Sequence, residues 1–296
     1  MKKPLCVYTT GLDQLNEQLA QKMLNSLYKT NPKIKEVADI RFFKQKDALE
    51  RGFTFINDLK MRYMTPIFNQ ELLKEYECVV RLDADMIITG DISSCWEGDF
   101  DVGVVQNANP REIIAQQQMM GKVVQVWDID PLDYVNCGFV VVKSERFNDH
   151  WLKLCTPQRQ HYQFYEQDFL NILVFYGDYN VKFLDRQPDN KWWGLISKGY
   201  WSQIELKRIL TMVKNADGQP KMTDGKITAA GKPYLILPKN SGDERDPWPT
   251  DNDKEIVCLH VAGGANAPKF TDIDIRFSEP VAAYLKQLID ETPRNN

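Results

Sequence analysis

No stretch of this 296-residue chain is long and uncharged enough to offer a membrane-spanning helix, and no block of like charges interrupts it. Its 37 basic and 41 acidic side chains leave a net charge of −4. That balance argues against a general nucleic-acid binder, because phosphate affinity needs a dense basic surface. A local basic pocket for a diphosphate stays open. Paired cysteines are also missing. Cys6, Cys78, Cys95, Cys137, Cys155 and Cys258 make no Cys-x-x-Cys motif, and several sit in apolar runs. They read as buried thiols rather than a structural zinc site. The opening Met-Lys-Lys-Pro-Leu-Cys-Val-Tyr has an apolar run too short for a signal-peptide core. A soluble protein in a reducing, cytoplasmic compartment is expected, with peripheral membrane contact left open. Internal repeats and low-complexity tracts are absent.

What the chain does have is an alternation of strand and helix patterns. Residues 5–10 read as a buried strand. A helix then starts near Asp13, with Leu15, Leu19, Met23 and Leu27 on one face, and Asn31-Pro32 stops it. Residues 36–43 read as a second strand through Val37, Ile40 and Phe42, residues 64–76 as a helix, and 78–82 as a third strand. Further strands are expected at 101–106, 137–143, 181–184 and 255–260, with helices at 163–176 and 280–290. From 192 to about 253 the pattern loosens into Lys, Asp, Gly and Pro, the composition of a lid or substrate loop. This rhythm predicts an α/β fold with a mostly parallel sheet flanked by helices.

The most informative stretch is Cys78-Val-Val-Arg-Leu-Asp83-Ala-Asp85-Met-Ile-Ile. A buried strand ends by delivering two carboxylates, and the carboxyl ends of strands are where open α/β sheets bind ligands. Residues two apart in an extended chain share a side, so both carboxylates can address one cation. Hard oxygen ligands suit Mg²⁺ or Mn²⁺, which would bridge a diphosphate and take up charge as it leaves. Burying two uncompensated carboxylates would cost several kcal/mol, on the order of the buried-charge penalty. Two reaction classes fit. A haloacid-dehalogenase-like magnesium phosphatase would use the first Asp as nucleophile, but it wants Thr or Val where Ile87 stands, and an earlier place in the chain. A nucleotide-sugar transferase carries its acidic pair at this depth, after two strand–helix units. His260 also ends an apolar strand and precedes Gly263-Gly264, where backbone can approach a ligand closely. It is one of only three histidines and a candidate metal ligand.

In five ordered segments the sequence resembles the GT-A-fold glycosyltransferases, within them the retaining family 8 group of glycogenin-like and galactosyltransferase enzymes. Val7-Tyr8-Thr9-Thr10 resembles the first-strand end that cradles uracil and ribose. Lys60-Met-Arg62-Tyr63 resembles the segment with the family's basic residue. Arg81-Leu-Asp83-Ala-Asp85 resembles its Leu-Asp-Ala-Asp. Tyr134-Val-Asn136-Cys137-Gly138 resembles its Asn-Ala-Gly strand, and Glu166-Gln167-Asp168-Phe-Leu-Asn171 its Asp-Gln-Asp-x-x-Asn helix. The departures are Glu166 for Asp, and a C-terminal signature kept only as His260-Val-Ala-Gly263, with Asn266 at the lysine position and Lys269 nearby.

The resemblance implies a GT-A, Rossmann-like domain over 1–275. A nucleotide-sugar part would occupy about 1–145 and an irregular acceptor part about 146–275, with a C-terminal helix and tail over 276–296. It implies transfer of a hexose from a UDP-sugar to a carbohydrate or glycoconjugate acceptor, with retention. Asp83, Asp85 and His260 would hold Mn²⁺ or Mg²⁺. Tyr8, Thr9, Thr10, Arg62, Ala84, Asn136, Cys137, Gly138, Gly263 and Lys269 would join the two aspartates around the donor. Gln167, Glu166 and Asp168 would stand at the reacting centre. The aromatics of Lys191-Trp192-Trp193-Gly and Gly199-Tyr200-Trp201 read either as sugar platforms or as core anchors of a loop. Two other classes stay open: a non-catalytic nucleotide-sugar-binding protein and a nucleotidyltransferase. Against the latter, Thr9-Thr10-Gly11-Leu-Asp13 lacks a basic, glycine-rich loop.

Overall fold

A computed structural model describes residues 2–50, 64–106, 129, 133–155, 166–186, 191–193, 195–197, 220–229, 254–262 and 273–290. The chain divides into two compact units, Met1–Gln18 with Lys33–Ala84 and Ser93–Arg186, and Leu19–Pro32 with Asp85–Ile92 and Gln187–Asn296.

The first unit is built on a six-stranded sheet. Strand β1 (Lys3–Gly11) is buried from Leu5 onward, the pattern of a central strand covered on both faces. Helix α1 (Gln14–Thr30) follows, opened by Asp13, whose carboxylate accepts the N–H of Asn16 at 2.8 Å. Gly11 is needed at the junction, because a Cβ there would stand 2.8 Å from the backbone of Glu17. A single turn, α2 (Ile34–Val37), precedes β2 (Asp39–Lys44) and α3 (Gln45–Glu50). The strand expected from residue 36 thus begins three residues later. Ile34 and Val37 are spaced for a helical turn, and the Ala38 N–H closes it on the Ile34 carbonyl.

Helix α4 (Met64–Leu72) leads into β3 (Tyr76–Leu82), which runs on past the Asp-x-Asp segment to β4 (Met86–Ile88). Then come β5 (Val102–Gln106), β6 (Val135–Val142), α5 (Glu145–Leu154), α6 (Glu166–Tyr176) and β7 (Val181–Phe183). The sheet order is β2-β1-β3-β6-β5-β7. Pairings β1–β2, β1–β3 and β5–β7 are parallel, whereas β6 runs antiparallel to both neighbours. A mainly parallel α/β sheet is therefore observed as expected. Helix α5 was not anticipated, although Ser144 caps it by accepting the Phe147 N–H and it buries Phe147 and Trp151 at a four-residue spacing. The core gathers Tyr8, Phe68, Val79, Val140, Trp151 and Phe169 from strands and helices alike.

The second unit holds two smaller sheets. Strand β8 (Lys191–Trp192), the hairpin β10 (Lys221–Thr223) and β11 (Lys226–Ala229), and β12 (Lys254–Ile256) form one, in the order β10-β11-β12-β8. The hairpin turns on Asp224 and Gly225, with φ of 51° and 77°, the left-handed pair that a two-residue Asp-Gly turn requires. The other sheet sets β13 (Cys258–Ala262) between β4 and β9 (Leu195–Ser197). A short turn α7 (Ile273–Arg276) precedes the last helix, α8 (Glu279–Ile289), which the sequence placed within one residue at each end. Asn25 of α1 donates to the carbonyls of Ile289 and Asp290 at 3.2 Å, closing the end of α8. Asn31 ends α1 by bonding the Gly90 carbonyl and the Ile92 N–H. All six cysteines are thiols, four buried and Cys137 and Cys155 half-buried. No helix among the described residues is long and apolar enough to cross a membrane.

Candidate active site

Strand β3 carries a positive charge into the sheet. Its residues from Cys78 to Leu82 are all buried, so Arg81 places a guanidinium in the interior, 5% exposed. Side chains two apart on a strand share a face. Arg81 therefore meets Asp83, and its Nη2 donates to Oδ1 at 2.6 Å. Its Nη1 donates to the Cys137 carbonyl at 2.5 Å. Burial opposes the guanidinium charge, but Asp83 and Glu166 outweigh it and hold Arg81 protonated above its ordinary range.

Strand β6 meets β3 only over Phe139–Val142, plus one bond from the Asp83 N–H to the Gly138 carbonyl at 2.8 Å. Beyond that point side chains of α6 take over from β3. Asn171 accepts the Val135 N–H at 2.7 Å and donates to the Val135 carbonyl at 2.9 Å. Gln167 accepts the Cys137 N–H at 3.1 Å. Without these amides, buried backbone groups of β6 would lose their partners. The Asn136 side chain accepts the Gly138 N–H at 2.6 Å, folding the Asn-Cys-Gly segment against the end of β3.

Glu166, at the start of α6, reaches α4. Its carboxylate accepts the Thr65 N–H at 2.9 Å and the Thr65 hydroxyl at 2.5 Å. Thr65 lies in the first turn of α4, where N–H groups lack helical partners and negative charge is favoured. Burial pushes the Glu166 carboxyl above its ordinary value; Arg81 and the Thr65 bonds pull it back, and Asp83 adds to the rise. The Cys137 thiol lies 3.8 Å from the same carboxylate, and its own pKa is driven well up by burial and by Glu166. Asp168 is 2% exposed and accepts the Tyr134 hydroxyl at 2.5 Å. Three segments separated in sequence, around Asp83, around Asn136 and around Glu166, thus meet through named bonds.

His260 stands on β13, opposite Met86 of β4, and is 3% exposed. Its Nε2 lies 3.0 Å from Asp85 Oδ1. One ligand atom from each of Asp83, Asp85 and His260 falls within 4.8 Å of the others. Ligands about 2.1 Å from a six-coordinate cation sit ~3 Å apart in cis and ~4.2 Å in trans. The three groups therefore stand close to ligand spacing, and the two carboxylates suit Mn²⁺ or Mg²⁺.

The remaining expected residues fall as follows. Tyr8 is buried in the core and its hydroxyl donates to Asn69 at 2.8 Å, so its side chain is committed to the fold. Thr9 is fully buried, and its hydroxyl has no hydrogen-bond partner among the described residues. Thr10 is 8% exposed, and Ala84 is buried between the two aspartates. Trp193 is 1% exposed, which favours a core anchor over a sugar platform. Arg62, Gly263, Lys269, Tyr200 and Trp201 lie outside the described residues, as does the side chain of Trp192. In the sequence Arg81 and Tyr134 stand only as motif neighbours, and nothing there singles out Thr65. The available signal was an arginine inside an apolar strand, two residues from a carboxylate.

No family model matches the chain, and neither does any curated protein. Among solved structures it is similar to the galactosyltransferase LgtC in complex with donor and acceptor sugar analogs, at 13% identity and a TM-score of 0.50 over 98% of both chains. It is likewise similar to an active-site mutant of LgtC, at 12% identity and a TM-score of 0.51 over the same shares. The bifunctional glycosyltransferase WbbM, at 14% identity and a TM-score of 0.49, matches 99% of this chain but 50% of its own, so the chain spans about half of WbbM. At these identities the LgtC likenesses show the fold. It is the expected GT-A arrangement, a mainly parallel sheet flanked by helices.

Proposed function

We propose that the protein is a glycosyltransferase of the family 8 kind, moving a hexose from a UDP-sugar to a carbohydrate or glycoconjugate acceptor with retention of configuration. The observation that carries the reading is the closeness of Asp83, Asp85 and His260, two of them just past the end of β3, in a chain whose fold is similar to that of LgtC. Asp83, Asp85 and His260 would hold Mn²⁺ or Mg²⁺, which supplies Lewis-acid stabilisation to a departing diphosphate. The backbone of Asn136, Cys137 and Gly138, which meets the end of β3 at the Asp83 N–H, would hold the donor sugar. The Gln167 carbonyl oxygen accepts the Cys137 N–H, and its side chain also bonds the Tyr134 hydroxyl, so it is held beside the Asn-Cys-Gly segment. Glu166 and Asp168 are both buried and hydrogen-bonded, an arrangement that suits orienting the site better than attacking a sugar carbon. This favours attack by the acceptor hydroxyl on the leaving-group face, without a protein nucleophile.

Titration calorimetry with UDP tests the reading. UDP should bind the wild type in Mn²⁺ and lose most of its affinity in EDTA or in Asp85→Ala. Metal-independent binding, or none, would overturn it and return attention to a phosphatase.

A further inference from the structure

Among the described residues of the site, Arg81 is a buried cation that the metal cluster does not require. It is buried, it shares a strand face with Asp83, and it holds the Asp83 carboxylate at 2.6 Å. A second bond, from Nη1 to the Cys137 carbonyl at 2.5 Å, anchors the guanidinium to β6. Asp85 Oδ1 lies 3.0 Å from His260 Nε2, its fellow candidate ligand.

We propose that Arg81 is a positioning residue that competes with the cation for Asp83, so that the site takes up metal weakly until a nucleoside diphosphate arrives with it. The inference rests on the metal-binding reading above. Its physical basis is charge. Two carboxylates would present two negative charges to a cation, and a guanidinium in contact with one of them cancels half of that attraction. The diphosphate restores the missing charge as it enters. A fixed positive charge several ångströms from a divalent ion, at the effective dielectric of a protein, weakens binding by about tenfold or more. The Arg81–Asp83 contact also means that metal entry breaks a charge-assisted hydrogen bond, which adds to the cost of loading the site without nucleotide.

The test is the Mn²⁺ dissociation constant measured by paramagnetic resonance, without nucleotide and with saturating UDP, for wild type, Arg81→Met and Asp83→Ala. Arg81→Met should bind nucleotide-free Mn²⁺ at least about tenfold more tightly than wild type, and the gain should shrink once UDP is present. A merely structural lesion would loosen binding, so the direction separates the two accounts. Removing Arg81 leaves Glu166 without its counter-charge, and the single variant can fail to fold. Arg81→Met with Glu166→Gln removes that burden and should still bind Mn²⁺ more tightly than wild type, by less than the single variant because a nearby negative charge is lost as well. Unchanged or weaker Mn²⁺ binding in both variants, with Asp83→Ala still abolishing it, would overturn the role of Arg81 and leave the metal site standing. Absence of Mn²⁺ binding in wild type and every variant, with and without UDP, would overturn the metal reading itself and this inference with it.

Discussion

Glu166 and Thr65 are 101 residues apart in sequence, yet the carboxylate of one takes both the N–H and the hydroxyl of the other. That pair ties the first turn of α4 to the start of α6. It also holds Glu166 beside Arg81, and through Arg81 the end of β3.

Thr65→Val keeps the shape of the side chain and removes one bond to a buried carboxylate. A loss of about 1.5–3 kcal/mol is expected, the range for hydrogen bonds to charged groups. Urea unfolding should show it as a lower midpoint with an unchanged slope.

Asn171→Leu should cost more, about 2–4 kcal/mol, because the N–H and carbonyl of Val135 both lose their partner in a buried setting. Denaturant titration measures this directly. Asn171→Asp is expected to be nearly as damaging, since a carboxylate cannot donate to the Val135 carbonyl.

The thiols give a readout that depends on pH. Cys6 and Cys78 are pushed up to about 12 by burial, from an ordinary 9.0. Their folded pKa lies above the unfolded one, so the stability they contribute is full below pH 9 and lost as pH rises toward 12. Alkaline destabilisation across that window is expected, and it should be smaller in Cys78→Ala. At pH 8 an aromatic disulfide reagent should leave Cys6 and Cys78 unlabelled in the native protein. Cys155, half-buried, should react before Cys137, whose thiol is held protonated by burial and by Glu166. Labelling of Cys6 ahead of Cys155 would contradict the packing of β1.

Much of this arrangement was readable in the sequence. The apolar run from Cys78 to Leu82 marked a central strand, and the two aspartates after it marked its carboxyl end. Residues 137–143 likewise gave β6 to within two residues at its start. Its direction was not readable, because Phe139-Val-Val-Val142 is apolar on both faces and carries no orientation. Helix α5 was missed although Ser144, Phe147 and Trp151 together mark a capped amphipathic helix. The pairing of Asn171 with Val135 lay beyond sequence because it depends on where β3 leaves β6. Arg81 is the instructive omission: a charge inside a buried strand must have a partner, and the partner was two residues away.

Metal addition should report on the cluster without any turnover. Mn²⁺ at 100 times its dissociation constant is expected to stabilise the fold by about 2.7 kcal/mol, raising the melting temperature, with EDTA reversing it. Asp85→Ala and His260→Ala should abolish the shift. A full shift in Asp85→Ala would place the ion elsewhere.

The central claim is that this chain uses the Asp83–Asp85–His260 cluster to cleave a nucleotide sugar. Release of UDP from UDP-glucose and UDP-galactose, measured in Mn²⁺ and in EDTA for wild type and Asp85→Ala, tests it most directly. Slow release by the wild type in Mn²⁺ alone, with one donor preferred, is the expected result. Release that survives EDTA or Asp85→Ala, or no release from any UDP-sugar, would contradict the account.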